Sequence, residues 1–180
     1  MTVYEGDCNT VLLDKVFPTC RFEDYRRGLC LLDPYDIDLD WKVVRTAGHM
    51  RSIEILLNFM IMDMNRNILH RNPVNVEPQQ QERMTRFWGD ESWREVCYQE
   101  QRGFFGDVEE KRTNRAVAAG YKDRLKNLAG FDYVTDPLPL RNSTGAVIYY
   151  LLFASNNETG YRIANHVFRR YEREGLSDGL

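Results

Sequence analysis

The sequence predicts one α/β domain over residues 1–180, built on parallel strands, closed by an antiparallel strand pair and interrupted by a helical insertion. The apolar run Gly28–Leu32 has the composition of a buried strand in a parallel sheet, Ser52–Phe59 is predicted as the next strand, and a helical pattern that starts at Asp40 lies between them. Later in the chain, two β-rich runs flank the short turn Asn142–Gly145, so their antiparallel pairing is expected.

Size and composition are typical of a globular domain and argue against other classes of protein. The chain has 180 residues, of which 43% are hydrophobic and 28% charged, and its net charge of −3 argues against binding nucleic acid through bulk positive charge. It contains no apolar run of the roughly 20 residues needed to span a bilayer, and no secretory signal pattern. We therefore expect a cytoplasmic protein without a membrane partner.

The residues before position 60 alternate between strand and helix. Thr2–Glu5 is β-rich and alternating, which predicts a strand, and a helix is predicted from Asn9 until Pro18 closes it. Gly28–Leu32 is apolar throughout, which is typical of a central strand buried on both faces. Ser52–Phe59 is the next strand, after a helix that Asp40 caps.

The rest of the chain contains the insertion and the end of the sheet. Residues 61–128 are polar, aromatic and helix-prone, and are interpreted as a helical insertion within the domain. Two strands, Tyr133–Leu140 and Ala146–Ala154, then form the antiparallel pair, and a last helix runs from about Glu158 to Arg173.

Five segments carry a resemblance to a known family: GDCNTVL (6–12), LCLLDPY (29–35), DW (40–41), FWGDESW (87–93) and FASNNETGYRIANHVF (153–168). They resemble the three-Cys-motif partner proteins, a bacterial and phage family with a methyltransferase-like fold. The resemblance extends from Val3 to Phe168. It implies the Rossmann-like sheet of class I S-adenosylmethionine-dependent methyltransferases, with parallel strands and a C-terminal antiparallel hairpin.

Members of this family also contain earlier strands and a glycine-rich turn of the type FAGPG, which this sequence lacks. Glycine in such a turn lets backbone N–H groups approach the cofactor closely. The resemblance therefore implies a C-terminal portion of the fold, with N-terminal strands missing, that binds S-adenosylmethionine weakly or not at all and is inactive as truncated. The missing strands would lie between those at Val3 and Leu29. An open sheet edge is therefore expected, and with it self-association or a complementing N-terminal segment.

Asp33-Pro34-Tyr35 is the candidate catalytic motif. It follows a predicted parallel strand at the carboxyl end, where open α/β sheets bind ligands. Amino-group methyltransferases have a similar motif, an Asp or Asn followed by two prolines and an aromatic residue. The resemblance implies that Asp33 and the Pro34 carbonyl accept hydrogen bonds from the target amine and that Tyr35 stacks on the base. This chain has one proline fewer, and the alternative is that Asp33-Pro34 only ends a buried strand in a turn.

Asp7, Cys8 and Asn9 are the candidate cofactor contacts, because the resemblance places an acidic residue and its neighbours against the adenine at this strand end. An Asp there can accept a hydrogen bond from the adenine amino group. The alternative is that Asp7 or Asn9 caps the following helix, and one residue can do both.

Trp88 and Trp93 are the candidate substrate-binding residues, since aromatic rings can hold a splayed base, and Phe104 and Phe105 follow closely. The alternative is that these rings pack the insertion against the sheet. A basic run from Lys111 to Lys126 could contact phosphates or form a solvated helix face.

No metal site is predicted. The cysteines (Cys8, Cys20, Cys30, Cys97) and histidines (His49, His70, His166) match no metal-ligand spacing, so reduced, structural thiols are expected.

The function implied by the resemblance is transfer of a methyl group from S-adenosylmethionine to an amino group, with nucleic-acid bases among the candidate acceptors. The alternative is a non-catalytic partner subunit that keeps the scaffold and binds the three-cysteine-motif protein encoded nearby. Both remain open from the sequence, because one fold supports many functions.

Overall fold

The computed structural model of the protein describes residues 1–70, 76–103 and 106–174. The architecture is mixed α/β: helices pack on a five-stranded sheet, and a separate two-stranded hairpin lies outside it. This confirms the predicted α/β class. None of the described helices is both long and apolar enough to cross a membrane.

The chain begins with a helical segment and not with a strand. Helix α1 (Cys8–Val11) continues as a π-helical stretch (Leu12–Val16) and a 3₁₀ turn (Phe17–Thr19), which confirms the helix predicted before Pro18. The strand predicted at Thr2–Glu5 is wrong, since these exposed residues pair with no strand of the described chain. A strand needs a neighbour to satisfy its backbone N–H and C=O groups, and this segment lies beside none.

The five-stranded sheet has the order β1-β2-β7-β5, with β6 also paired to β7. Strands β1 (Gly28–Leu32) and β2 (Ile53–Phe59) run parallel, and β7 (Val147–Ser155) is antiparallel to β2. On its other side β7 pairs antiparallel with β5 (Tyr133–Val134) and β6 (Leu138–Arg141). The predicted antiparallel pair at the end of the sheet is therefore confirmed.

Strand β1 lies at the edge of the sheet, so its predicted central position is wrong. Its one strand partner among the described residues is β2. Leu29 and Leu31 are 58% and 66% exposed. An apolar run without charged residues is typical of a strand with two neighbours, and here the second neighbour is absent from the described part of the fold.

Helices lie on both faces of the sheet. Helix α2 (Trp41–Met50) packs against β2. On the other face, Glu54 Oε1 accepts a hydrogen bond from Ser155 Oγ at 2.7 Å. Helix α7 (Glu158–Glu174) begins against the same carboxylate, because a Cβ added to Gly160 would lie 2.5 Å from Glu54 Oε1.

The insertion between β2 and β5 is only partly helical. Its described residues form four helices: α3 (Ile61–Asn67), α4 (Pro78–Trp88), α5 (Trp93–Cys97) and α6 (Asn114–Asn127). Between α5 and α6, strands β3 (Tyr98–Gly103) and β4 (Gly106–Lys111) form an antiparallel hairpin that corrects the all-helical prediction. Glycine disfavours a helix interior, and two glycines, Gly103 and Gly106, form the last pair of the two strands.

Candidate functional site

The carboxyl end of β1 presents Asp33 and Tyr35 to solvent. Leu32 pairs with Leu57 in the parallel register, so the next residue, Asp33, lies opposite Asn58. Asn58 Nδ2 donates a hydrogen bond of 2.6 Å to Asp33 Oδ1. The Tyr35 side chain is among the most exposed in the described chain, at 94%. One carboxylate oxygen is thus held in place two residues before an exposed tyrosine.

Asn58 is the residue of this site that the sequence did not reveal. It is 9% exposed, and its Oδ1 atom is buried without a hydrogen-bond partner among the described residues. A buried acceptor left without a donor costs about 1–3 kcal/mol. The available signal was an amide within an otherwise apolar stretch at the carboxyl end of β2, but only the register shows that it faces Asp33.

Ion pairs with α4 hold the loop that follows the motif. Arg83 approaches Asp36 at 3.5 Å and Asp38 at 3.0 Å. Arg86 approaches Asp38 at 3.3 Å and Asp40 at 2.9 Å, the last contact without the alignment of a hydrogen bond. Because only the Arg83 side chain is well shielded, at 17% exposure, these pairs position the loop more than they stabilise the protein.

A half-buried carboxylate of α3, Asp63, lies beside this loop. Burial, followed by the neighbouring Asp36 carboxylate, raises the pKa of Asp63 above its ordinary value. Asn67 Nδ2 donates to Asp63 Oδ1 at 2.5 Å. Asp36 and Asp63 are therefore neighbouring carboxylates, with Arg83 as the nearby cation.

Asp7 and Asn9 shape the start of α1. Asp7 is the N-cap: its Oδ1 accepts hydrogen bonds from the Thr10 backbone N–H at 2.9 Å and the Thr10 hydroxyl at 3.0 Å, and these bonds lower the pKa of the Asp7 carboxyl. The capping alternative is thus observed for Asp7. Asn9, buried at 8% exposure, donates to Asp38 O and accepts from the Asp40 N–H, whereas Cys8 is exposed.

These contacts bring the two predicted sites to the same edge of the sheet. Asn9 bonds at 2.9 Å and 2.8 Å to the loop that begins at Asp33 and ends at Asp40. The start of α1 therefore lies beside the end of the loop that follows β1.

Trp88 and Trp93 are core residues, so the structure does not provide the exposed aromatic platform predicted for them. Their side chains are 0% and 1% exposed. Trp88 Nε1 donates to Ser92 Oγ and Trp93 Nε1 to Thr85 Oγ1, at 3.2 and 3.0 Å. Burial of both rings corresponds to the packing alternative, because a large apolar ring gains most when it is removed from water. Phe104 and Phe105 lie outside the described residues.

Two grooves lie on the surface, and Asp40, at the end of the loop after β1, lines the first of them. One, of about 680 Å³, runs between α2 and α4, and the other, of about 710 Å³, lies at the amino ends of β1 and β2. Neither of these two grooves is lined by Asp33 or Tyr35. Across the described ranges, no three His, Cys, Asp or Glu side chains are placed to hold a metal ion, and all four cysteines are free thiols.

Comparison with protein-family models, with curated proteins and with solved structures finds no match to this chain.

Proposed function

We propose that this chain is a methyltransferase-like domain of the three-Cys-motif partner type, with a site at the carboxyl end of β1 for the amino group that receives a methyl group. The observation that carries the proposal is the Asp33 carboxylate, which Asn58 holds at the end of β1, with the exposed Tyr35 two residues further along the chain. The parallel strands followed by an antiparallel hairpin support it, because class I methyltransferase sheets end with such a hairpin.

The geometry suits an amine attached to a flat ring. Asn58 occupies Asp33 Oδ1, which leaves Oδ2 to accept an N–H of the amine, and the Pro34 carbonyl is a second acceptor. Tyr35 can stack on the ring, a contact worth about 1–3 kcal/mol per base. Together these contacts would aim the nitrogen lone pair away from the protein acceptors and towards the methyl donor.

The cofactor fits this chain only in part. S-adenosylmethionine would supply the methyl group. The Oδ1 atom of Asp7 already accepts hydrogen bonds from Thr10. Its Oδ2 atom lies 3.5 Å from Asn9 Nδ2 and could accept a hydrogen bond from the adenine amino group. The sequence contains no glycine-rich turn of the FAGPG type for the rest of the molecule. We therefore expect weak or absent binding of S-adenosylmethionine to this chain, and weaker still to Asp7→Asn, by isothermal titration calorimetry.

Binding of short single-stranded oligonucleotides tests the acceptor site without the cofactor. We expect Tyr35→Ala and Asp33→Asn each to raise the Kd of an adenine-rich strand roughly tenfold in fluorescence anisotropy, since a stacked base or a charged hydrogen bond is worth about 1–3 kcal/mol. The Asp33 effect should disappear with a strand whose purines lack the exocyclic amino group. Tyr25→Ala, which removes another ring with 91% exposure, and Asp24→Asn are the matched controls. Equal binding by all four variants, or no binding by the wild type, would refute an acceptor site for nucleic-acid bases.

A partner subunit is the second candidate function, and the surface of α7 favours it. Ile163, Val167 and Tyr171 form an apolar stripe at helical spacing and are 63%, 56% and 56% exposed. This stripe replaces the surface around Trp88 and Trp93 as the candidate contact with a three-cysteine-motif protein. In a co-purification assay, Val167→Glu should release that partner and Asp33→Ala should retain it. The opposite pattern would reject the partner surface.

A further inference from the structure

The open edge of β1 presents backbone groups in a defined pattern. Gly28 N–H donates to Ser52 O in β2 at 2.9 Å. The N–H and C=O groups of successive strand residues point to alternate sides, so Gly28, Cys30 and Leu32 bond towards β2. Leu29 and Leu31 therefore direct their backbone groups to the open edge.

The side chains of this edge also lack the usual protection. Natural edge strands carry charged residues, prolines or bulges that prevent pairing with another chain. Gly28–Leu32 contains none of these, and its two leucines are 58% and 66% exposed. Charges occur only at the two ends, with Arg27 before the strand and Asp33 after it.

We propose that a second copy of this chain pairs with β1 in antiparallel orientation, with Cys30 on the two-fold axis. In this register Leu29 faces Leu31 of the other copy, and four backbone hydrogen bonds form between the two leucine pairs. Arg27 then lies opposite Asp33 of the other copy, twice, by symmetry. The interface stands independently of the proposed methyl transfer.

Other registers match the residues less well. A shift of the register by one residue places the leucines of the two copies on opposite faces of the shared sheet. An axis at Leu29 or Leu31 keeps the leucines on one face but removes both Arg27–Asp33 pairs. Parallel in-register pairing places Arg27 beside Arg27 and Asp33 beside Asp33 of the other copy. The axis at Cys30 alone matches apolar with apolar and positive with negative side chains.

The paired leucines would extend an apolar surface across both copies. Leu29 and Leu31 are in register with Glu54 and Leu56, so they lie on the face of the sheet that α7 covers. Helix α7, which carries the exposed apolar stripe, lies on this face. The ion pair with Arg27 also engages the Asp33 carboxylate, so the dimer would exclude an amine from the candidate acceptor site.

Cross-linking tests the position of the axis. Cys30 would form the non-hydrogen-bonded pair, whose Cα separation of about 4.5 Å suits a disulfide. In Cys8→Ser/Cys20→Ser protein, oxidation with diamide should produce a covalent dimer that is absent when Cys30 is also changed to Ser. Because burial raises the pKa of the Cys30 thiol to about 11, the reaction is run at alkaline pH. No Cys30-dependent dimer, in protein that sediments as a dimer, would overturn the register.

Charge reversal tests the register and the occupant together. Arg27→Asp and Asp33→Arg should each weaken the dimer roughly tenfold or more in sedimentation equilibrium, because like charges then face each other twice. The double variant Arg27→Asp/Asp33→Arg should restore the wild-type dissociation constant. A monomer at all concentrations would overturn pairing with a second copy and leave the edge to a strand of another protein. A dimer insensitive to both single changes would place the interface elsewhere. Binding of adenine-rich strands by the monomer is a separate readout of the proposed acceptor site.

Discussion

Replacing Arg124 in α6 should loosen the attachment of the insertion. Its guanidinium, in a residue that is 8% exposed, donates to Trp88 O at 3.0 Å, Ser92 Oγ at 2.7 Å and Asp90 Oδ2 at 2.8 Å. It also lies 5.0 Å from the centre of the Trp41 ring. One side chain thus joins α6 to the end of α4 and to α2.

Arg124→Met keeps the apolar stem and removes every donor. Leaving the Trp88 carbonyl without its donor costs about 1–3 kcal/mol. Loss of the cation–π contact adds about 0.5–1 kcal/mol. The Asp90 side chain is 53% exposed and regains water, so that ion pair adds only about 0–1 kcal/mol. We expect the free energy of unfolding to fall by about 3 kcal/mol in total.

Urea unfolding followed by tryptophan fluorescence measures this loss, since the buried Trp41 and Trp88 report on the region directly. Lys126→Met, at an exposed position of the same helix, is the control and should change stability by less than about 0.5 kcal/mol. If Arg124→Met also changed it by less than about 0.5 kcal/mol, the guanidinium would not be what holds α4 to α6.

Two further predictions concern packing and pH. Gly48→Ala should destabilise the protein by about 1–3 kcal/mol, because the new Cβ would lie 2.0 Å from Ala129 O and this overlap outweighs a gain of about 1 kcal/mol in helix propensity. Calorimetry should show a lower Tm for this variant than for Lys42→Ala on the same helix. Equal Tm values would contradict the close approach. Asp63→Asn should stabilise the protein at neutral pH, because burial and Asp36 raise the pKa of Asp63 and so disfavour its charged form in the folded state. That gain should shrink as the pH falls towards the ordinary carboxyl range, and a gain independent of pH in urea titrations would show that Asp63 does not titrate abnormally.

Local patterns predicted much of the fold. The continuous apolar run Gly28–Leu32 identified β1, the strand-like pattern of Ser52–Phe59 identified β2, and the short turn between two β-rich runs identified the antiparallel pairing of β6 with β7. The last helix, predicted from about Glu158 to Arg173, extends from Glu158 to Glu174. Each of these elements depends on side chains close together in the chain, which is why the sequence was sufficient.

The candidate site was predictable only in part. The chemistry of Asp33 and Tyr35 and their position after a strand are visible in the sequence. Asn58 is not, because its role depends on a parallel register between residues 25 positions apart. The same holds for Arg83 and Arg86, whose carboxylate partners lie far away in the chain.

The sequence by itself determined the α/β class, the order of most elements and an apolar strand that ends in Asp33-Pro34-Tyr35. Only the tertiary structure decided that this strand is an edge, that Trp88 and Trp93 are core residues and that Thr2–Glu5 is not a strand. Hydrophobic periodicity records which side chains prefer to leave water, but not which neighbour covers them. The exposure of a side chain depends on non-local contacts. Hydrophobicity in the sequence and exposure in the structure differ most at the open edge of β1, where leucines lie exposed.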